Sequence, residues 1–250
     1  MGRKRKKQIK KSIYLKYILI IWGLFFCVVL SIIILFAGKS FASPLDAYYC
    51  FSTQDPGAVV AKFDDYLTSD ASAGLPTVRL WAMVLNGESH ETHCVVFENS
   101  NGASFEQSNA IFQKPEGQAF LNDLYTIIED GLEGAGTPIL NFGEADFEKN
   151  PYVMLINVRV KNAKRYGQLF TDFMNSSELP GSATMFQDTF TGESGRTHYI
   201  AISGPSVDSL RETTSTSLSS QAGQNFQRVA SNLRKITSTY LMFHIKSWNE

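Results

Sequence analysis

The chain repeats itself. Gly87-Glu88-Ser89-x-x-Thr92-His93 returns as Gly192-Glu193-Ser194-x-x-Thr197-His198, and Phe63-x-Asp65-Tyr66-Leu67-x-Ser69 returns as Phe170-x-Asp172-Phe173-Met174-x-Ser176. Leu75-Pro76 is answered by Leu179-Pro180, and Gly117-Gln118-x-Phe120 by Gly223-Gln224-x-Phe226, so the four matches are collinear at offsets of 104 to 107 residues. Self-similarity at a fixed period constrains architecture before it says anything of chemistry. Two units of about 100 residues, 46–144 and 151–248, follow from it.

Hydrophobic period predicts the same element order in both units. A short extended run (Tyr48–Phe51; Val153–Val158) precedes a helix whose apolar residues Val59, Phe63, Tyr66 and Leu67 match Tyr166, Phe170, Phe173 and Met174, the spacing of one helical face. Asp55-Pro56 is a natural N-cap followed by a first-turn proline. Two extended runs joined by a Gly-containing turn come next: Val78–Leu85 with Thr92–Phe97, and Thr184–Phe190 with Thr197–Ser203. One further helix per unit is expected, through Phe120, Leu121, Leu124, Ile127 and Ile128, and through Phe226, Val229, Leu233 and Ile236. The run Thr213–Ser220 reads as a loop or weak helix start, and final strands are expected at Pro138–Phe142 and Thr239–Lys246.

The order β-α-β-β-α-β, twice, is the ferredoxin-like unit, a four-stranded antiparallel sheet with both helices on one face. The bare face of a lone unit should read polar at alternate positions, but Leu80–Leu85 and Cys94–Phe97 are apolar on both sides. The simplest cover is the other copy's matching face. The expected class is therefore α+β: tandem ferredoxin-like βαββαβ units packed sheet to sheet as a pseudo-dimeric α+β barrel. With the helix Tyr166–Met174, Leu179-Pro180-Gly181 entering a strand and Thr197–Ile202, the chain resembles the dimeric α+β barrel superfamily, which includes the antibiotic-biosynthesis-type monooxygenases. That resemblance implies a fold and a small apolar cavity between sheets, not a particular reaction.

Residues 1–16 carry eight bases and no acid, and Tyr17 to Gly38 run 22 residues without a charge. That length suits a transmembrane anchor better than a signal core. Ser40-Phe41-Ala42 offers a cleavage site as the alternative, which would leave a secreted product. Either way the basic end stays cytoplasmic and the rest is exported, to the periplasm or outside. The net charge of −1 conceals an exported part with 14 bases against 24 acids, which repels nucleic acid. The expected partners are the membrane, through residues 17–38, and a small hydrophobic ligand, with no oligomer required.

Candidate site residues follow from the repeat. His93 and His198 are equivalent and could face one shared cavity as bases or ligands. The plainer reading is that each Thr-His opens a strand and satisfies a local group. Arg79 and Trp81 share one face of their strand, and an inward arginine would need an anionic partner. Cys50 and Cys94 fall on neighbouring antiparallel strands, where a disulfide is geometrically open; the second copy has no cysteine, which favours two buried thiols. His90-Glu91-Thr92-His93-Cys94 lies in a hairpin, where neighbours alternate sides, so no metal site is expected. No phosphate-cradling loop, Gly-x-Gly-x-x-Gly or nucleophile elbow occurs, so no cofactor is expected either.

The main functional reading is a membrane-tethered, non-catalytic module binding a small apolar ligand or a protein. The alternative is a cofactor-free, monooxygenase-like enzyme acting on a hydrophobic small molecule, with His93 or His198 as base. A cavity between the sheets of roughly 300 Å3 or more that holds a histidine would mark the enzyme, and a solid interior the module.

Overall fold

The computed structural model describes residues 43–190 and 195–250. The basic segment 1–16, the span 17–38 and the turn residues Gly192-Glu193-Ser194 lie outside the described residues. Among the described residues no helix is long and apolar enough to cross a membrane.

The first copy runs β1 (Leu45–Ser52), α1 (Pro56–Leu67), β2 (Thr77–Leu85), β3 (His93–Asn99), α2 (Gly102–Phe112), α3 (Pro115–Leu124) and β4 (Glu129–Phe142). The second runs β5 (Tyr152–Val160), α4 (Ala163–Met174), β6 (Ala183–Phe190), β7 (His198–Gly204), α5 (Val207–Ser219), α6 (Gln221–Leu233) and β8 (Arg234–Trp248). The strands close into one antiparallel barrel in the order β1-β3-β2-β8-β5-β7-β6-β4. Each half keeps the ferredoxin-like order, and the halves meet at two seams, β2–β8 and β4–β6.

The closing strands make those seams. β4 pairs with β1 over Glu129–Gly136 and with β6 over Ala135–Phe142. β8 pairs with β5 over Arg234–Phe243 and with β2 over Leu241–Trp248. Each closing strand also delivers side chains to the other half's core. Trp248 is buried in the first copy's core and stacks on Phe63 at 5.7 Å, while Phe142 packs edge-on against Phe170 at 5.8 Å in the second. The predicted helix faces are the buried ones: Val59, Phe63, Tyr66 and Leu67, and Tyr166, Phe170, Phe173 and Met174, are each below 9% exposed. Full burial of a side chain of this size contributes about 1.5–3 kcal/mol.

The second helical region differs from expectation in both copies, because it is two helices. Pro115 cannot continue α2 and holds Lys114 in an extended conformation, so α3 starts afresh. Ser220 ends α5 and caps α6, its hydroxyl accepting from the Gly223 amide at 3.0 Å. Thr213–Ser219 is thus helix rather than loop, with α5 anchored by buried Leu210. Ile127 and Ile128 fall beyond α3, and Ile236 lies exposed on β8.

These breaks explain one repeated motif. A Cβ on Gly117 would meet the Phe112 backbone at 2.7 Å, and one on Gly223 would collide with the Ser217 carbonyl. Glycine lets each helix start tightly against the end of the one before. The following glutamine then donates to that helix's carbonyls, Gln118 to Phe112 at 2.8 Å and Gln224 to Ser219 at 3.0 Å.

Candidate functional site

Side chains alternate across each strand, so every strand gives one set to the barrel lumen and one to the helix layer. The lumen takes Asp46, Tyr48 and Cys50 from β1, Trp81 and Met83 from β2, and Cys94, Val96 and Glu98 from β3. It takes Val153 and Leu155 from β5, Phe186 from β6, Tyr199 and Ala201 from β7, and Tyr240 and Met242 from β8. They leave a cavity of about 150 Å3 that no histidine lines.

His93 and His198 have the opposite parity and sit among the groups facing the helices, so they share no cavity. Their neighbours Cys94 and Tyr199 take the inward places. Each imidazole Nδ1 meets the preceding threonine hydroxyl, His93 to Thr92 at 2.8 Å and His198 to Thr197 at 2.9 Å. Those hydroxyls accept in turn from a backbone amide just past the first strand or at its end, Thr53 at 3.1 Å and Val160 at 2.8 Å. The repeated Thr-His therefore locks one strand to its neighbour. Burial pushes both imidazoles below their ordinary pKa. The expectation of paired bases or ligands in one pocket is overturned by strand parity.

Cys50 and Cys94 are register partners and are joined as a disulfide, which corrects the reading as two thiols. The second copy has Asn157 and Tyr199 at this rung. Trp81 is 6% exposed and lies edge-to-face with Phe147 at 4.9 Å. Arg79 does have its anionic partner: its Nε donates to Glu98 at 2.6 Å and its Nη1 to Ser247 Oγ at 2.7 Å.

A more deeply buried arginine escaped the sequence reading. Arg196 donates twice to Asp188, at 2.8 and 2.9 Å, and also to Asn157 and to the Tyr48 hydroxyl. Its guanidinium lies 4.9 Å from the Tyr199 ring centre. At this end of the barrel the first copy has Glu91 and Met83 where the second has Arg196 and Asp188. That exchange between aligned copies is the signal that would have found the pair. Asp46 shares the lumen, and burial followed by the nearby Glu98 raises its pKa to about 7, against the pull of Arg79. Burial holds the Tyr199 phenol well above its usual pKa.

The larger hollow lies on the other side of the first copy's sheet. Between β1, β3 and helices α1–α3 is a cavity of about 410 Å3, walled by Phe51, Phe63, Phe97, Phe105, Phe112 and Phe120. Asn99 and Ser108 lie at its buried end, Ser108 donating to Asn99 at 3.1 Å, and Tyr49, Tyr125, Asp130 and Glu133 stand at its exposed side. Burial and then Glu133 raise the Tyr49 pKa, so this phenol stays a proton donor at neutral pH. In the second copy the matching space is about 140 Å3. Ala47 lines the first cavity, whereas Met154, at the equivalent register place, packs into the second core.

Size separates the two spaces. A dry cavity of about 150 Å3 holds benzene, whereas ligand pockets run from roughly 300 to 1,000 Å3. Of these two, the helix–sheet cavity of the first copy is the one that accepts a multi-ring molecule. The hollow expected between the sheets is present but small, and the roomy one lies outside the barrel. His93 does not line it, but stacks at 5.8 Å on Phe51, which does. Among the described residues no three His, Cys, Asp or Glu side chains converge in a way that could hold a metal ion.

No family model and no curated protein sequence matches the chain. Solved structures do. An anthrone oxidase-like protein superposes with a TM-score of 0.58 at 10% identity, over 82% of this chain and 92% of its own. A protein from Fusobacterium nucleatum subsp. nucleatum ATCC 25586, provisionally assigned as a monooxygenase, gives 0.57 at 12% identity over 84% and 96%. A chlorite dismutase variant from Candidatus Nitrospira defluvii gives 0.51 at 12% identity over 82% and 92%. All three are named as enzymes, and this overturns the expectation of a non-catalytic module.

Proposed function

We propose that this chain, whose fold is that of the dimeric α+β barrel superfamily in two fused copies, is an oxygenase acting on a hydrophobic small molecule without a redox cofactor. The observation that carries the reading is the 410 Å3 helix–sheet cavity, aromatic along its walls, with Asn99 and Ser108 at its buried end and Tyr49, Tyr125, Asp130 and Glu133 at its exposed side. Apolar walls with a few placed polar groups are the usual form of a small-molecule site. The anthrone oxidase-like neighbour supports a substrate with an acidic methylene between aromatic rings and a ketone conjugated through them.

In the reaction we propose, the Glu133 carboxylate takes a proton from the methylene, breaking a C–H bond and leaving the pair on carbon. Tyr49, kept protonated, donates a hydrogen bond to the enolate oxygen, and Asn99 with Ser108 holds the buried end of the substrate. Dioxygen accepts electrons from the carbanion and bonds to that carbon. The peroxide anion so formed takes back the proton held by Glu133. The hydroperoxide then loses its second C–H proton to the Glu133 carboxylate, its O–O bond breaks, and the departing hydroxide takes that proton, so that a ketone and water leave. The balance is R–CH2–R′ + O2 → R–CO–R′ + H2O, with all four electrons supplied by the substrate. The reading also keeps the barrel exported behind the anchor of residues 17–38, supported by the eight bases before 22 uncharged residues.

The test is oxygen uptake with anthrone as the probe, in labelled dioxygen. Uptake is expected, with label in the ketone and in water. Glu133→Gln should lower kcat by about 100-fold or more, the usual loss of a general base. No uptake, or ketone oxygen drawn from solvent, would overturn the proposal.

A further inference from the structure

The oxygenation reading leaves the barrel lumen unused. This space of about 150 Å3 lies on the opposite face of the sheet from the helix–sheet cavity. A cavity of that size holds benzene, and choline is larger by about one non-hydrogen atom.

Its walls define the chemistry of an occupant. Tyr48, Trp81, Phe147, Phe186, Tyr199 and Tyr240 present aromatic rings, and Asp46, Glu91 and Glu98 present carboxylates. The two guanidiniums are engaged: Arg196 with Asp188, Tyr48 and Asn157, and Arg79 with Glu98, Ser247 and Glu250. With those pairs matched, the surplus charge is negative and belongs to Asp46 and Glu91. Glu91 is held by the Leu132 amide at 3.1 Å and by Ser89. Both arginines also lie over rings, Arg196 over Tyr199 at 4.9 Å and Tyr48 at 5.3 Å, and Arg79 over Phe147 at 5.0 Å. Arg196 in the lumen, and Arg79 over one of its wall rings, thus already set cations on aromatic faces beside carboxylates, and this combination selects quaternary or protonated amines.

We propose that the barrel lumen is a second binding site, independent of the oxygenation cavity, for a compact organic cation no larger than choline, held by Asp46 against the rings of Trp81 and Tyr240. Binding requires ionised Asp46, so affinity rises as pH rises through about 7. The charged groups around that carboxyl are Glu98 and Arg79 from the neighbouring strands, Tyr199 across the lumen, and the Arg196–Asp188 pair with Glu91 at the hairpin end. His244 and Glu250 near Arg79 complete the set.

Choline titrated calorimetrically into the full-length chain tests this, beside 3,3-dimethylbutan-1-ol, its uncharged isostere. Choline should bind at least about tenfold more tightly than the alcohol. Its affinity should also be up to about tenfold greater at pH 8 than at pH 6. Asp46→Asn should remove both effects. Equal affinity for the two probes in the unaltered protein, or no choline binding, would overturn the proposal without any variant having to fold. Binding that survives Asp46→Asn and is lost in Glu133→Gln would place the cation at the helix–sheet cavity and would overturn it as well.

Discussion

Arg196 and Asp188 meet inside the barrel through two hydrogen bonds of 2.8 and 2.9 Å, with each side chain 3% exposed. They stand on either side of the β6–β7 turn and bind its two strands from within. Removing one partner leaves a buried charge unmatched, and such losses run to about 3–5 kcal/mol. Asp188→Asn should therefore lower the urea unfolding free energy by several kcal/mol, while Asp188→Asn with Arg196→Met should recover part of the loss. A single variant as stable as the parent would show that the pair does not hold the hairpin.

Gly136 should tolerate no side chain. A Cβ there would collide with the Tyr199 hydroxyl and stand 2.8 Å from its ring carbons. Overpacking of this kind costs about 1–3 kcal/mol. Gly136→Ala should lower the thermal midpoint, and adding Tyr199→Leu should relieve the clash. An additive double variant would refute the contact.

Breaking the Cys50–Cys94 bond should destabilise the fold without changing its topology. The crosslink spans a sequence separation of 44 residues, for which loop-closure entropy gives up to about 4 kcal/mol, with about 2–4 typical. Urea unfolding with and without reductant measures this, and Cys50→Ala with Cys94→Ala should show the reduced stability in both conditions.

Asp46 gives the protein a pH dependence of stated sign. Its folded pKa of about 7 lies above the ordinary 3.8, so between those values the folded state holds the extra proton. The associated stability is present below about pH 4 and is lost as pH rises through 7, a difference of up to about 4 kcal/mol. Asp46→Asn should match the parent near pH 4 and exceed its stability at pH 8. Parallel stability–pH curves for the two proteins would contradict this.

The architecture was legible because a duplication shows every element twice. Paired helix faces such as Phe63 and Phe170 emerged from spacing alone, and the doubly apolar Leu80–Leu85 run implied a covered sheet. The first half of β4 was not legible, since Glu129-Asp130-Gly131-Leu132-Glu133-Gly134 has little strand propensity. It is a strand because Gly134 and Gly136 leave room for the rings of Tyr48 and Tyr199, a tertiary cause with no local trace. The site was harder still. Histidines repeated at one position drew attention, yet strand parity turns them toward the helices, and repetition there marks a shared structural need. The residues that distinguish the lumen and the large cavity are those that fail to repeat: Arg196 against Glu91, Ala47 against Met154.

A barrel assembled from two identical chains would have to carry any substitution on both sides at once, so a bulky residue that firms one half would fill the other. Joining the halves through one backbone, with β4 and β8 each laced into the opposite sheet, removes that obligation. Met154 can serve as ballast while Ala47 keeps its counterpart hollow, and a lineage can trade solidity on one flank for chemistry on the other.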